Sequence, residues 1–324
     1  MVTLKQAQDI INDSINKIKF DSKPKELYDP IVYTLKLGGK RIRPALILLG
    51  CDLFSEDISP AINPAIAFEL LHNFTLVHDD IMDNANLRRG KQTVHSKWGN
   101  NVALLSGDAM CIKAYEFINK CDDRYLKDAI EAFNDAAIKV CEGQQFDMNF
   151  ETRQSVSEEE YLLMIGLKTS ALFASSLKTG AIVGGASLND AELMYDFGLN
   201  LGFAFQLQDD YLDIFGDETT IGKEIGKDIV SNKKTYLLIK ALELAKGSRL
   251  DSLKKWIFAK KFDSEEKIKA VQLIYISLGI RELTLKAIEN FFIKSYNDLK
   301  KVSVSDNKKL ELKNFLSSLR NRKY

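Results

Sequence analysis

Apolar residues recur at helical spacing along nearly the whole chain, and only five prolines interrupt that pattern in 324 residues. With 18 glycines besides, the sequence favours long helices over a turn-rich sheet protein. An amphipathic opening helix is predicted from about Leu4 to Ile18. Pro24 and Pro30 bracket a second start that runs to Leu37, and the chain breaks at Gly38-Gly39. Pro44 opens a helix through Leu53, and Pro64 opens a long one from Ala65 to about Asp83. Arg88-Arg89-Gly90 reads as a loop. Further helices are expected from about Asn101 to Lys120, from Asp123 to Phe150, and from the Ser157/Glu160 capping box to about Lys178. Asn189-Asp190 caps the next, which runs to about Phe215. Gly216 to Lys234 is polar and aperiodic, as a functional loop would be. Helices resume at about Thr235. No repeat, linker or composition shift divides the chain. The expectation is one all-α domain over 1–324, a large helical bundle.

Hydrophobic residues at 45% suffice for a sizeable core. Lys plus Arg equals Asp plus Glu, at 45 each, so there is no basic excess of the kind a nucleic-acid binder shows. Cys51, Cys111, Cys121 and Cys141 form no CxxC pair and are too few to staple the chain, which indicates buried thiols in a reducing cytosol. No signal peptide and no apolar run of about 18 residues is visible, so a cytoplasmic protein without a membrane span is expected.

Two acidic triads stand out. Asp79 and Asp83 sit one turn apart with Asp80 beside them, and Asp209, Asp210 and Asp213 repeat the arrangement. Like charges at that spacing destabilise a helix, so something should offset them. Carboxylate oxygens at this density suit magnesium, a hard cation that keeps waters and bridges to phosphate. A single such motif is usually a solvated helix face. Here both follow strongly apolar stretches, Phe74 to Val77 and Phe203 to Leu207. Gly198, Gly202 and Gln206 form a stripe leading to Asp210. It reads either as close helix packing or as a groove in which a ligand lies against the backbone.

Cations fall in the breaks between helices. Gly38-Gly39-Lys40-Arg41-Ile42-Arg43-Pro44 carries three into a helix start, where backbone N–H groups also favour anions. Arg88 and Arg89 follow the first triad. Lys223, Lys227 and Lys233 follow the second. Arg suits bidentate phosphate contact, Lys a point charge. Acidic triads each followed by cations suggest a metal-plus-cation cradle for diphosphate.

These residues, with Gly143-Gln144, Lys168-Thr169 and Gln206 ahead of the second triad, resemble the trans-isoprenyl diphosphate synthase (polyprenyl synthetase) family in order and spacing from about Lys40 to Thr235. FTLVHDDIMD, Phe74 to Asp83, is most similar to archaeal-type geranylgeranyl and farnesyl diphosphate synthases. The resemblance implies an all-α fold around a deep central cavity, a homodimer and three magnesium ions. It implies that Asp79, Asp83 and Asp209 ligate metal, with Asp80, Asp210 and Asp213 in support. Arg88, Lys168, Thr169, Gln206, Lys223 and Lys233 would then serve the allylic diphosphate, and Lys40, Arg43, His72 and Arg89 isopentenyl diphosphate. The Lys168 carbonyl, Thr169 and Gln206 would stabilise an allylic cation. Gln92 stands where the family commonly has Pro, and Gln208 and Tyr211 replace residues that are more often aliphatic.

Phe74 and Thr75 lie about 6–7.5 Å below Asp79 along the helix axis. In the resembled family, aromatic bulk there stops the growing chain. One Phe beside a small Thr implies a twenty-carbon product, with farnesyl or slightly longer products as the alternative. A terpene cyclase would carry Asn, Ser or Thr with Glu in its second motif, a head-to-head enzyme would lack the Gly38–Pro44 segment, and a non-catalytic subunit would lose aspartates or Lys40 and Arg43. His78-Asp79 alone suggests a metal phosphohydrolase, but only His72 and His95 remain as further imidazoles.

Overall fold

All five prolines fall within the first 64 residues, and later helices run uninterrupted for up to 30 residues. A computed structural model describes residues 1–20, 22–216 and 225–322. The helices are α1 Leu4–Asn16, α2 Lys25–Lys36, α3 Ile42–Asp52, α4 Ile62–Met82, α5 Val94–Trp98, α6 Asn100–Ile118, α7 Asp123–Thr152, α8 Glu158–Ile165, α9 Ala171–Val183 and α10 Leu188–Phe215. They continue as α11 Lys227–Val230, α12 Tyr236–Leu244, α13 Ser248–Ile257, α14 Ser264–Ser277, α15 Ile280–Lys301 and α16 Leu310–Arg320. Among the described residues, the only strands are β1 Leu87–Arg88 and β2 Lys91–Gln92. The all-α expectation holds.

Local chemistry accounts for most boundaries. Thr3 with Gln6, and Ser157 with Glu160, form reciprocal capping boxes that open α1 and α8. Several expectations are corrected. Helix α2 runs through Pro30, and the Thr34 hydroxyl donates to the Pro30 carbonyl at 2.8 Å. The α10 cap is Ser187, whose hydroxyl accepts from the Asp190 N–H at 3.1 Å. The helix expected to run unbroken from Ser157 to Lys178 is interrupted by a π-turn at Gly166–Ser170. Helix α11 lies inside the expected 216–234 loop.

Arg88-Arg89-Gly90 belongs to a two-residue hairpin rather than a loop. Arg89 and Gly90 both take positive φ, at 53° and 72°, as a type I′ turn requires. Leu87 pairs with Gln92, and the Thr93 N–H donates to the Asn86 carbonyl. Gln92 therefore occupies a non-hydrogen-bonded pair, where its N–H is not needed by the ladder. A proline would fit the same place.

Two compact units emerge from backbone proximity: residues 1–138, 172–198 and 301–313 in one, and 139–171, 199–300 and 314–324 in the other. In the first, α4 is apolar nearly all round and is buried from Pro64 to Leu71. It packs on α3 and α6. Phe68 meets Phe133 edge-on at 5.3 Å. Helices α3 and α9 approach so closely that a Cβ on Gly180 would sit 2.2 Å from the Ile47 carbonyl. In the second unit, Ile214, Ile229, Leu237, Leu253, Val271 and Tyr275 form a core beneath α11.

Candidate active site

The glycine turn before α3 sorts its cations. Arg41 takes a left-handed conformation (φ 46°) and turns inward. It forms a buried ion pair with Glu69 and donates to the Leu35 carbonyl. That bonding offsets the backbone strain of a non-glycine residue there. Arg43 points elsewhere. One of its terminal nitrogens lies 3.2 Å from His72 Nε2, and its guanidinium lies 4.8 Å over the Phe173 ring. Arg89 comes to the same place. Its guanidinium fills the space a Cβ on Gly39 would need, at 2.6–2.8 Å. Desolvation holds His72 well below the usual imidazole value, and Arg43, Arg89, Arg88 and Arg41 push it the same way. His72 is thus neutral and accepts from Arg43. The structure brings Arg43, His72 and Arg89 together, with Lys40 exposed beside Arg41.

The first triad closes α4. Asp80 is 3% exposed and is gripped by Arg88, whose Nε donates at 2.8 and 2.9 Å and whose NH2 lies at 2.7 Å. Arg88 therefore answers the triad's own charge. Asp83 is the exposed C-terminal cap, and its N–H donates to the Asp79 carbonyl. One turn below, the Thr75 hydroxyl donates to the His72 carbonyl at 2.9 Å. The Phe74 ring meets His78 at 4.7 Å. His78 itself is absorbed by α6: its Nε2 lies 3.2 Å from the Leu104 carbonyl, and its ring fills the space above Gly107. His95 lies in α5.

The second triad lies in the other unit and is built differently. Asp210 is 4% exposed, and accepts from the Tyr161 hydroxyl at 2.5 Å and from Gln206 Nε2 at 2.9 Å. The Thr169 hydroxyl donates to Gln206 Oε1 at 2.9 Å. One chain of bonds thus runs Thr169–Gln206–Asp210–Tyr161. Burial raises the Asp210 carboxyl to about 6 against the opposing pull of Lys233. Asp213 accepts from the Asp228 N–H at 3.0 Å, and burial raises its carboxyl too. Asp209 pairs with Arg322 at 2.7 Å.

The π-turn carries Lys168 and Thr169. Its Ala171 N–H reaches back five residues to the Gly166 carbonyl, which disturbs the regular ladder at these two residues. Lys168 pairs with Asp147 at 2.6 Å. A Cβ on Gly143 would sit 2.3 Å from the Lys168 nitrogen, so Gly143 is what admits the turn. The glycine stripe of α10 has the same explanation. A Cβ on Gly202 would lie 2.4 Å from the Ser170 Cα, and one on Gly198 2.7 Å from the Ala174 Cα. Close helix packing fills that stripe, and no ligand groove runs along it.

Three residues carry no signal in the sequence: Asp147 stands three residues after Gln144, Tyr161 carries no motif, and Asp228 lies in the aperiodic stretch. Arg322 lies in the basic end of the chain, whose charge already marks it as able to fold over the site. Burial pushes Asp228 up to about 7, with Asp210, Asp213 and Asp147 adding and Lys233 opposing. The unusual Tyr211 and Gln208 are absorbed by packing. Arg281 donates to the Tyr211 hydroxyl at 3.1 Å, and Gln208 donates to the Leu319 carbonyl at 3.1 Å. Lys223 lies outside the described residues.

Among the described residues, no three His, Cys, Asp or Glu side chains form a metal cage by themselves. Magnesium does not need one. It binds through one or two carboxylates and takes its other ligands from water and phosphate. Asp79 and Asp83, one turn apart beside a carboxylate already neutralised by Arg88, fit that demand. So does Asp209, whose present partner is a cation.

The polyprenyl synthetase family model matches residues 24–274. A short chain isoprenyl diphosphate synthase of Methanothermobacter thermautotrophicus is 42% identical over 246 residues, 76% of each chain. A geranylgeranyl diphosphate synthase of Methanosarcina mazei is 40% identical over 251 residues, again 76% of each. A crystal structure of a geranylgeranyl pyrophosphate synthase superposes with a TM-score of 0.94 at 44% identity, covering all of both chains. With the triads, the basic turn and the Lys168–Thr169 turn in place, the chain belongs to the polyprenyl synthetase family and is a prenyltransferase.

Proposed function

We propose that this chain condenses isopentenyl diphosphate head-to-tail with allylic diphosphates, and that its main product is geranylgeranyl diphosphate. The observation that carries the reading is the cluster of Arg43 and Arg89 around a neutral His72, in the same unit as the first triad. It offers a second anion its own place, apart from the cations that answer the carboxylates.

In this reading Asp79, Asp83 and Asp209 hold magnesium, three ions in all. When bound, they supply positive charge to the departing diphosphate. Arg88, Lys168, Lys233 and Lys223 hold the allylic diphosphate, so Arg88 and Lys168 exchange part of their carboxylate bonding for phosphate oxygens. Asp80, Asp210 and Asp213 support the ligands, each within its own unit, through their bonds to Arg88, to Tyr161 and Gln206, and to the Asp228 N–H. The carbon–oxygen bond of the allylic substrate breaks, and the electron pair leaves with diphosphate. The Lys168 carbonyl, Thr169 and Gln206 stabilise the cation by their dipoles. Lys40, Arg43, His72 and Arg89 orient isopentenyl diphosphate, whose double bond attacks the cationic carbon. A proton then passes to the departed diphosphate, leaving a new double bond.

Residues 1–324 are read as one polyprenyl synthetase domain, because the family match runs continuously through segments of both units. A homodimer is supported by the exposed apolar face of α6, Leu104, Leu105, Ile112 and Tyr115. Among the described residues, no helix is long and apolar enough to cross a membrane. We place the protein in the cytoplasm.

Labelled isopentenyl diphosphate with dimethylallyl, geranyl or farnesyl diphosphate and magnesium tests the reaction. Absence of any longer diphosphate overturns it. Phe74→Ala tests the pocket floor: products longer than twenty carbons are expected by mass spectrometry, and an unchanged spectrum removes the assignment.

A further inference from the structure

Helix α11 is a single turn, yet it touches functional residues at both ends. At its start the Asp228 N–H donates to the second triad's Asp213 at 3.0 Å. At its end the chain passes through Ser231 and a left-handed Asn232 (φ 55°) into Lys233. The Asn232 N–H bonds the Ile229 carbonyl at 3.2 Å, and the Lys233 N–H bonds the Asp228 carbonyl at 2.9 Å. This is the paired-bond cap in which the left-handed position is usually glycine. Asparagine tolerates it, and here its side chain is held from two directions. Nδ2 donates to the Ile257 carbonyl at 3.1 Å, and Oδ1 accepts from Lys267 Nζ at 2.8 Å.

Lys267 rises from α14 and is 1% exposed. Its second bond, at 3.1 Å, goes to the carbonyl of Val230, the last residue of α11. The Phe262 ring lies 4.2 Å from the ammonium. A buried ammonium is costly unless its donors are answered. A methionine would fill the same space without that cost. Both oxygen acceptors of Lys267 belong to the one cap that aims Lys233, and the charge of Lys233 acts on Asp210, Asp213 and Asp228.

We infer that Lys267 is a positioning residue for the allylic diphosphate: it locks the cap of α11 and so fixes the direction of Lys233. This rests on the reading of Lys233 as a diphosphate ligand. The test measures calorimetric binding of inorganic pyrophosphate with magnesium, KM for geranyl diphosphate, kcat and Tm. Lys267→Met is expected to weaken pyrophosphate binding and raise KM by roughly tenfold, with a smaller change in kcat. Asn232→Gly keeps the left-handed backbone but removes the amide that Lys267 grips. It is expected to do the same, and the double variant to be no worse than either single one. A Lys267→Met protein that loses Tm but binds pyrophosphate like the parent overturns the proposal, as does an unaffected Asn232→Gly. If Lys267→Met does not fold, Asn232→Gly decides. Lys233→Ala is the control: unchanged pyrophosphate affinity there sinks the reading of Lys233 itself.

Discussion

The two acidic triads have the same spacing and opposite surroundings. The first closes a helix, leaves Asp83 exposed and answers its one buried carboxylate with Arg88, a full charge. The second lies within a helix, and its buried Asp210 is held by a phenol and an amide, both uncharged. Neutral donors satisfy lone pairs but do not balance charge, so burial raises Asp210, Asp213 and nearby Asp228. A motif therefore specifies which atoms are present, while the packing around it decides how firmly they hold a proton.

The largest expected effect tests whether the triads are functionally equal. Asp79→Ala and Asp209→Ala should each lower kcat by about a hundred- to a thousandfold, in steady-state assays with geranyl diphosphate. Near-normal turnover in either variant would break the equivalence. The second test addresses the charged answer. Arg88→Ala leaves Asp80 buried and unpaired, and should destabilise the fold by about 2–4 kcal/mol in denaturant titrations. An unchanged midpoint would show that Asp80 is wetter than its burial indicates. Tyr161→Phe is the matching test of the neutral answer. Losing one hydrogen bond to Asp210 should cost about 1–3 kcal/mol, less than Arg88→Ala. A larger loss than Arg88→Ala reverses the ranking of the two environments.

The smallest effect is a pH slope. Asp228 keeps its proton in the folded chain up to about pH 7, whereas the unfolded chain releases it near the ordinary carboxylate value. The folded state thus binds more protons in that window, and its stability falls as pH rises through it. His72, which binds no proton in the folded chain, acts in the opposite sense, so thermal melts of metal-free protein should show a more positive Tm-versus-pH slope in Asp228→Asn than in the parent between about pH 5 and about pH 7. Parallel slopes in the two proteins contradict the raised carboxyl of Asp228.

Local features were legible. The Ser157/Glu160 box, the breaks at Gly38-Gly39 and the long helix ending at the first triad all follow from neighbours in sequence. The α10 cap was read two residues late, because Asn189-Asp190 competes with Ser187 for the same role. The Gly198/Gly202 stripe was ambiguous, since a glycine that admits a ligand and one that admits another backbone look identical in sequence. Residue type alone does not tell Arg41 from Arg43; the family resemblance passes over Arg41, and its partner Glu69, 28 residues on, gives the physical reason. The π-turn has no local signature: Gly143 must clear space on α7 before Lys168 and Thr169 can stand out of a regular helix.

The sequence by itself determined the helical class, the two acidic triads, the cations after them and the family, because each depends on residue type and short spacing. Tertiary structure decided which of those charges are already spent. It buried Arg41 against Glu69, set Arg88 on Asp80 and Arg322 on Asp209, kept His72 neutral among arginines, and added Asp147, Tyr161 and Asp228 to the second triad. Charge state depends on distance and water, and residues far apart in the chain set both.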